Sequence, residues 1–309
     1  MRVVFLGSGA FAIPSFEAVI EAGHEVAAVV TQPDREKGRG RSVAPPPLKP
    51  VAEARGVPVH QPRRIRDPAA QEALRALAPD VQVVVAYGQI LPRSVIDIPP
   101  RGTVNVHGSL LPRYRGAAPI QWAIVNGERE TGVTTMLIDE GLDTGPTLLS
   151  RSMLIGAEET AADLEARLAV LGADILVETL AGIGAGTLHA VPQDHARATL
   201  APLIRKEEGR LDWTMPAEAL ARRVRGFHPW PGTFALWQDR PVKVLRARPE
   251  QGGPSEPGAI VAADRDGLVI GCGQGTRLRL LEVQPESRRP MSAAAFSAGL
   301  RLAPGARFG

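Results

Sequence analysis

Residues 1–30, MRVVFLGSGAFAIPSFEAVIEAGHEVAAVV, decide how the first part of this chain folds. An apolar run, RVVFL, ends in a Gly-rich turn, continues into a stretch with Pro14 near its start, and returns to a second apolar run, VAAVV. Because Pro is favoured in the first turn of a helix, the pattern predicts a strand, a helix and a second strand. Apolar strands that alternate with helices are typical of a mainly parallel sheet buried on both faces.

The same alternation continues to about residue 185. Further apolar strands are predicted at 81–87, 102–107 and 132–139, and helices at 14–22, 68–77, 119–126 and 158–183. The last of these has apolar residues at helical spacing and closes the pattern. We therefore predict an α/β domain over residues 1–188, with a doubly wound, Rossmann-like, mainly parallel sheet.

The texture of the sequence changes after this domain. Residues 189–206 are irregular and contain Pro, which predicts a linker. Residues 207–309 contain one helical segment, 216–227, and five or six short strands broken by Gly and Pro. Short strands with regular turn signals predict a second domain that is a small β-barrel.

Composition excludes several classes of protein. The chain has 309 residues, 44% of them hydrophobic and 22% charged, as in an ordinary globular protein. A single cysteine, Cys272, leaves no intramolecular disulfide and no multi-thiolate metal site, and we expect it to be a buried apolar residue. We find no signal peptide and no stretch near the roughly 18 apolar residues that span a bilayer. We therefore expect a cytoplasmic protein with no membrane partner, and nothing demands more than a monomer.

Charge is distributed unevenly along the chain. Residues 207–309 carry 15 Lys and Arg against 11 Asp and Glu, whereas residues 1–206 carry 21 against 22. A basic C-terminal part attached to a near-neutral first part suggests a polyanionic partner such as a nucleic acid.

The turn GSGAFA, residues 7–12, matches the dinucleotide-binding fingerprint. In that fingerprint an acidic residue at the tip of the second strand holds the ribose, but Thr31 occupies the tip here and Asp34 follows only behind a Pro. A Gly-rich first turn also serves packing alone, which we favour over NAD(P) binding.

Asn105 and His107 carry the strongest chemical signal. They lie two residues apart on a predicted strand, so both side chains project from the same face. They also lie at its carboxyl end, where open α/β sheets bind ligands. An amide can donate a hydrogen bond to a developing oxyanion, and an imidazole can move a proton near neutral pH.

Asp143 is the third candidate, in the tight turn EGLDTG at the mouth of the next strand. A carboxylate there can orient His107, whereas we interpret Asp139 and Glu140 as turn residues. No nucleophilic Ser or Cys motif accompanies the set, so it favours direct transfer to an acceptor over a covalent enzyme intermediate.

NVHGSLLPRYRGAAP with a downstream LDTG resembles the signature of the formyltransferases that use 10-formyltetrahydrofolate. FLGSGAFA, TQPDREKGRGR and RLDWTMPAEALARRVRGFHPWPGTF resemble the members of that family that act on methionyl initiator tRNA, so the resemblance covers nearly the full length. It implies transfer of formyl to the methionyl α-amine for translation initiation, without metal and without NAD.

The resemblance also implies roles for individual residues. The catalytic residues would be Asn105, His107 and Asp143, and the donor would be held by the backbone of Ser109, Leu110, Leu111 and Pro112. The tRNA would be contacted by Lys37, Arg39 and Arg41 in the long non-apolar stretch 33–50, which we expect to be an unstructured loop without tRNA. The second domain would be an OB-like barrel with a basic face towards the tRNA, and we expect Trp213, Trp230 and Trp237 to lie mostly in its core.

Other functions stay open on the sequence alone. A formyltransferase acting on a small amine, such as a nucleotide-sugar or glycinamide ribonucleotide, or a hydrolase of the same donor, would keep the three catalytic residues. A non-enzymatic RNA-binding protein would need only the basic loop and barrel, and a NAD(P) oxidoreductase would need only the first turn.

Overall fold

The structure, a computed structural model, describes residues 1–37 and 42–309, and only the backbone of Lys37. The chain forms two compact units. The first contains residues 1–119, 130–154 and 165–201, and the second contains residues 120–129, 155–164 and 202–309. The boundaries 1–188, 189–206 and 207–309 drawn from the sequence stay predictions.

The first 185 residues contain nine strands and six helices within the described part. The strands are β1 (Arg2–Gly7), β2 (Glu25–Val30), β3 (Arg35–Lys37), β4 (Ser42–Ala44), β5 (Val59–His60), β6 (Val81–Val85), β7 (Thr103–His107), β8 (Glu130–Leu137) and β9 (Thr147–Leu154). The helices are α1 (Ala12–Glu21), α2 (Leu48–Ala54), α3 (Pro68–Ala76), α4 (Arg93–Ile96), α5 (Pro119–Val125) and α6 (Ala161–Ala185).

Seven of these strands form one sheet in the order β5-β2-β1-β6-β7-β8-β9. The neighbours from β5 to β7 pair in parallel, and β8 and β9 join antiparallel at the other edge. All five residues of β6 are buried, as expected for a parallel strand covered on both faces. The predicted α/β domain with a mainly parallel sheet is confirmed, and β7 lies inside the sheet with its carboxyl end beside that of β6.

Helix α6 is more apolar than we expected from the sequence. By length and composition alone it could cross a membrane, although 44% of its most apolar stretch is buried inside the protein. Leu164, Leu168 and Leu176 are fully buried, and the Thr179 and Thr135 hydroxyls hydrogen bond at 2.8 Å, which ties the helix to β8. The expectation that no stretch is apolar enough is therefore wrong, because Ala, Val and Gly also occupy the outward positions of this helix.

The stretch 33–50 is not an unstructured loop throughout. Strands β3 and β4 pair antiparallel, with Arg35 opposite Ala44, and α2 starts at Leu48. The hairpin buries little apolar surface, since Val43 is 68% exposed, so no apolar pattern in the sequence announces it. Arg39 and Arg41 lie outside the described residues.

The second unit is built on an antiparallel sheet. Its strands are β10 (Thr233–Trp237), β11 (Arg240–Glu250), β12 (Ile260–Asp264), β13 (Gly267–Gly271), β14 (Arg277–Pro285) and β15 (Met291–Ser292), and its helices are α7 (Ala217–Gly226) and α8 (Ala293–Leu300). The sheet order is β10-β11-β14-β13-β12, with β15 beside β14. This order is an open path, and no described residues of β10 and β12 pair, so the OB-like barrel is not confirmed.

The core of the second unit contains most of the aromatic residues we expected there. Trp213 is buried and Trp237 packs on the core beside Phe308, but Trp230 is 56% exposed and is not a core residue. Cys272 is buried in the same core, as expected, and burial raises the pKa of its thiol to about 12.

Candidate active site

The turn after β1 is closed by hydrogen bonds within the protein. The Ser8 hydroxyl donates to the carbonyl oxygen of Tyr87 and accepts from the Thr31 hydroxyl and the Gln32 amide, each at 3.1 Å. A Cβ added at Gly7 would lie 2.9 Å from the Cβ of Ala12, so the glycine allows the strand and α1 to pack closely. The one polar side chain of this turn is thus already bound by neighbouring loops of the protein, which is what the packing interpretation of GSGAFA predicts.

The carboxyl end of β7 differs from that turn. Asn105 and His107 alternate with the buried Val104 and Val106, so their side chains leave the same face of the strand. Asn105 is half-buried, and its carboxamide forms no hydrogen bond to any described residue. A half-buried amide with free donors can bind a ligand oxygen without first breaking a contact in the protein.

His107 is 6% exposed and has a neighbour at each ring nitrogen. Its Nε2 lies 2.9 Å from the carbonyl oxygen of Tyr114. A carbonyl oxygen can only accept, so Nε2 carries the proton in this arrangement. Its Nδ1 lies 3.7 Å from Oδ2 of Asp143, which is beyond hydrogen-bond length but within ion-pair distance. A second proton at Nδ1 would therefore point towards a carboxylate.

Asp143 lies in the loop between β8 and β9, and the fold brings it to His107 as the sequence predicts. Its Oδ2 accepts a hydrogen bond of 2.8 Å from the amide of Gly116, in the loop that follows β7. Its φ is +51°, in the left-handed region that non-glycine residues seldom adopt. Asp139 stabilises the same turn, because its Oδ1 accepts from the Gly141 amide at 3.0 Å and the Thr144 hydroxyl at 2.7 Å. The interpretation of Asp139 as a turn residue is confirmed.

The four residues predicted to hold a donor begin the loop after β7. The Ser109 hydroxyl donates to the carbonyl oxygen of Arg113 at 2.6 Å, and the Leu111 amide donates to the Thr134 hydroxyl at 3.1 Å. These polar groups are already used inside the protein. What the loop still offers is the half-buried apolar surface of Leu110, Leu111 and Pro112.

Sequence reasoning missed three residues near this site. Ile90 follows β6, the strand next to β7, and is 92% exposed; its signal was an apolar residue in the Gly- and Pro-containing loop YGQILP. Arg115 and Gln193 are buried polar residues that hydrogen bond to each other across 78 positions of sequence. No local pattern could have found that pair.

The residues predicted to bind tRNA lie at the edge of the described part of the chain or outside it. Arg39 and Arg41 lie outside the described residues, and of Lys37 the structure gives only a backbone position at the end of β3. Within residues 1–37 and 42–309, no group of three or more His, Cys, Asp and Glu is arranged to hold a metal ion.

Comparisons with known proteins match nearly the whole chain. Residues 1–180 match the formyl transferase family and residues 203–301 match the formyl transferase C-terminal domain. The methionyl-tRNA formyltransferase of Solibacter usitatus is 53% identical over 310 residues, covering 100% of this chain and 99% of that protein. The methionyl-tRNA formyltransferase of Myxococcus xanthus is 52% identical over 306 residues, covering 99% and 97%.

Solved structures share the fold at much lower identity. The N-formyltransferase from Helicobacter canadensis, in complex with folinic acid and dTDP-3-aminofucose, has a TM-score of 0.68 at 17% identity and covers 92% of this chain and 99% of that one. HypX from Aquifex aeolicus, in complex with tetrahydrofolic acid, has a TM-score of 0.66 at 20% identity; the match covers 96% of this chain but only 47% of HypX. Since both family segments and the full-length relatives agree, this chain belongs to the formyl transferase family, with curated methionyl-tRNA formyltransferases among its relatives.

Proposed function

We propose that this protein transfers the formyl group of 10-formyltetrahydrofolate to the α-amino group of methionyl initiator tRNA, giving formylmethionyl-tRNA for translation initiation. The observation that carries the proposal is the end of β7, where the Asn105 carboxamide, which hydrogen bonds to no described residue, accompanies the buried His107 and the half-buried Asp143. The full-length identity of about half to methionyl-tRNA formyltransferases supports the choice of acceptor.

Asn105 stabilises the charge that develops on the formyl oxygen. As the amine nitrogen bonds to the formyl carbon, that oxygen becomes negative, and an amide N–H held in place by the protein stabilises it more than mobile water does. The Asn105 carboxamide fits this role because no described protein group occupies it.

His107 and Asp143 manage the proton and the charge. The attacking amine loses a proton when the new C–N bond forms, and the folate nitrogen gains one when the old C–N bond breaks. His107 takes up a proton at Nδ1, and the Asp143 carboxylate at 3.7 Å balances the resulting positive charge. A hydrogen bond from His107 to the formyl oxygen would require its Nε2 to exchange the carbonyl of Tyr114 for that oxygen.

The donor is held by the apolar side chains around this end of the sheet. Folate presents a flat ring with polar edges, which suits an apolar surface next to a few polar groups. The half-buried Leu110, Leu111 and Pro112 follow β7, and the exposed Ile90 follows the neighbouring β6. When bound there, the donor supplies the formyl carbon, and Asn105 and His107 supply the polar contacts.

The tRNA is held by basic groups. Lys37, Arg39 and Arg41 contact backbone phosphates at the acceptor end, where they position the tRNA and add no base specificity. The antiparallel second unit, which we propose is OB-like, adds a basic surface with 15 Lys and Arg against 11 Asp and Glu over residues 207–309. The protein acts as a cytoplasmic monomer.

No observation favours the other functions left open by the sequence. The N-formyltransferase from Helicobacter canadensis shares 17% identity, which supports a common fold and not a common acceptor. A protein that only binds RNA has no use for a pair of His107 and Asp143 beside the Asn105 amide, to which no described residue hydrogen bonds.

A parallel assay of acceptors tests the proposal. Formyl transfer from 10-formyltetrahydrofolate is measured on initiator methionyl-tRNA, elongator methionyl-tRNA and free methionine. We expect transfer to the initiator, with the other two at least about tenfold slower, which corresponds to roughly 1.4 kcal/mol of discrimination. Transfer to a nucleotide-sugar amine and to none of the three would overturn the choice of acceptor.

A further inference from the structure

Residues 191–201, here called the strap, lie along the loop that follows β7. At one end Val191 and Thr147 exchange backbone hydrogen bonds of 2.8 Å, just beyond the turn that carries Asp143. At the other end the Arg115 amide donates to the carbonyl of Thr199 at 2.9 Å, and the Ala201 amide donates to the carbonyl of Arg115 at 2.7 Å. The strap therefore joins the Asp143 turn to the loop after β7.

The loop after β7 leaves no room between itself and the strap. Gly116 has a φ of +122°, and a Cβ at this position would lie 2.6 Å from the carbonyl oxygen of Ala201. The Tyr114 amide also donates to the Thr199 hydroxyl at 2.8 Å. A glycine is thus required where the strap passes, next to the amide that binds Asp143.

Gln193 is a buried polar residue in a largely exposed strap. It is 8% exposed, and all of its hydrogen-bonding capacity is used. Its Nε2 donates to the carbonyl oxygens of Asp143 at 2.9 Å and Gly145 at 2.7 Å. Its Oε1 accepts from Nε and Nη2 of Arg115 at 3.1 and 2.7 Å. One side-chain amide thereby connects the Asp143 turn to Arg115.

Arg115 is the second buried group in this network, at 6% exposure. Besides Gln193, its guanidinium contacts Nδ1 of the His195 ring at 3.2 and 3.3 Å. Within residues 1–37 and 42–309 no carboxylate lies within ion-pair distance of Arg115. A buried cation with no carboxylate partner depends on each of its hydrogen bonds, because burying a charge without them is strongly unfavourable.

Asp143 is thereby held from two sides. The amide of Gly116, the residue after Arg115, binds its carboxylate, and Gln193 binds its main-chain carbonyl. Left-handed backbone at a non-glycine residue persists only where the surrounding contacts enforce it. These two contacts enforce the left-handed backbone of Asp143, and they also determine where its carboxylate lies relative to His107.

We propose that Gln193 is a positioning residue. It links the Asp143 turn to Arg115 and thereby holds the Asp143 carboxylate at its position beside His107. The proposal rests on the proposed function, in which Asp143 balances charge on His107. Gln193 touches no reacting atom and acts only through Asp143.

Two substitutions separate the two ends of the Gln193 amide. Gln193→Met keeps the length of the side chain and removes every hydrogen bond. Gln193→Glu keeps an acceptor for Arg115, with an added opposite charge, but loses the donors to the carbonyls of Asp143 and Gly145. We expect both variants to lower kcat roughly 10- to 100-fold, the range for a misplaced catalytic group, with KM for both substrates changed less than about threefold. A role that only stabilises buried Arg115 predicts instead that Gln193→Glu restores activity.

The dependence on Asp143 is tested by combining variants. In an Asp143→Ala background we expect Gln193→Met to change kcat less than about twofold, since groups that act as a unit are not additive. If Gln193→Met lowers kcat in that background by the same factor as in the wild-type background, Gln193 acts on something other than Asp143. Asp194→Ala is the matched control, because it removes the contact of the neighbouring strap residue to the Ala196 amide and leaves kcat unchanged.

Hydrogen exchange at the Gly116 amide gives a readout independent of catalysis. This amide is protected by the Asp143 carboxylate, so Gln193→Met should speed its exchange at least about tenfold. If the wild-type protein shows no formyl transfer, the proposed function is overturned. The hydrogen-exchange result would still decide whether Gln193 holds Asp143 in place. If Gln193→Met fails to fold, the same measurements are made on Gln193→Glu and Arg115→Lys. Unchanged Gly116 exchange together with unchanged kcat in these variants would overturn the proposal.

Discussion

The turn after β1 and the carboxyl end of β7 both lie at the ends of parallel strands in one sheet, yet their polar side chains differ in whether described residues of the protein already bind them. In the first, Ser8 joins the ends of β1, β2 and β6 by three hydrogen bonds within the protein. In the second, the Asn105 carboxamide lies near the buried His107 and hydrogen bonds to none of the residues in 1–37 and 42–309. The fingerprint GSGAFA is the better-known motif, but its one polar side chain, that of Ser8, is already used.

The difference shows that a motif at a sheet edge indicates a ligand site only when its polar groups still lack partners in the folded protein. Position in the sheet is shared by both segments and cannot distinguish them. Three substitutions test whether one segment performs catalysis while the other serves packing.

The largest effect is expected for Asn105→Ala. Removing a donor aimed at a developing oxyanion costs about 10²- to 10³-fold in kcat, roughly 3–4 kcal/mol, with little change in the melting temperature. Steady-state kinetics and thermal unfolding of the same preparation measure both quantities. Gln251→Ala, at an exposed amide, is the control, and a kcat for Asn105→Ala within twofold of wild type would remove Asn105 from the mechanism.

A smaller loss is expected for Asp143→Asn. The amide oxygen can still accept from Gly116, but the negative charge 3.7 Å from Nδ1 of His107 is gone. We expect kcat to fall about 10- to 100-fold with folding intact, since the group that orients a catalytic base is replaced by a neutral one. Asp97→Asn, at an exposed ion pair with Arg93, should leave kcat unchanged; an equal loss in both variants would point to a general charge effect.

The smallest effect on catalysis is expected for Ser8→Ala. The substitution leaves the Gln32 amide and the Thr31 hydroxyl without their acceptor, which lowers the free energy of unfolding by about 1–3 kcal/mol. Denaturant unfolding measures this change, with the exposed Ser94→Ala as control, and kcat should stay within twofold. A tenfold loss of kcat in a folded Ser8→Ala protein would mean that this turn contacts substrate. The distinction between a packing turn after β1 and a catalytic segment at the end of β7 would then be wrong.

Local sequence pattern predicted much of the fold and the three central site residues. The buried strands β1, β2, β6 and β7 are short apolar runs, and the spacing of Asn105 and His107 places both side chains on one face without knowledge of any other element. Asp143 was found because a Gly-containing turn after a strand returns towards the sheet edge.

Pattern failed where structure depends on contacts distant in sequence or on little burial. The hairpin of β3 and β4 and the exposed strand β9 lack the apolar alternation that announces a strand. The pairing of Arg115 with Gln193 depends on a chain path that no periodicity encodes. For Trp230, composition gave no indication that this aromatic residue would be exposed.

The strap limits where the C-terminal domain can be exchanged between formyltransferases. It lies between the segments that match the two family domains, 1–180 and 203–301, so a chimaera joined at the end of α6 would discard it while keeping every predicted catalytic residue. Such a hybrid would retain Asn105, His107 and Asp143 but lose the amide that holds the Asp143 turn. The smallest portable catalytic module therefore extends to Ala201, and any new C-terminal partner is best grafted beyond it.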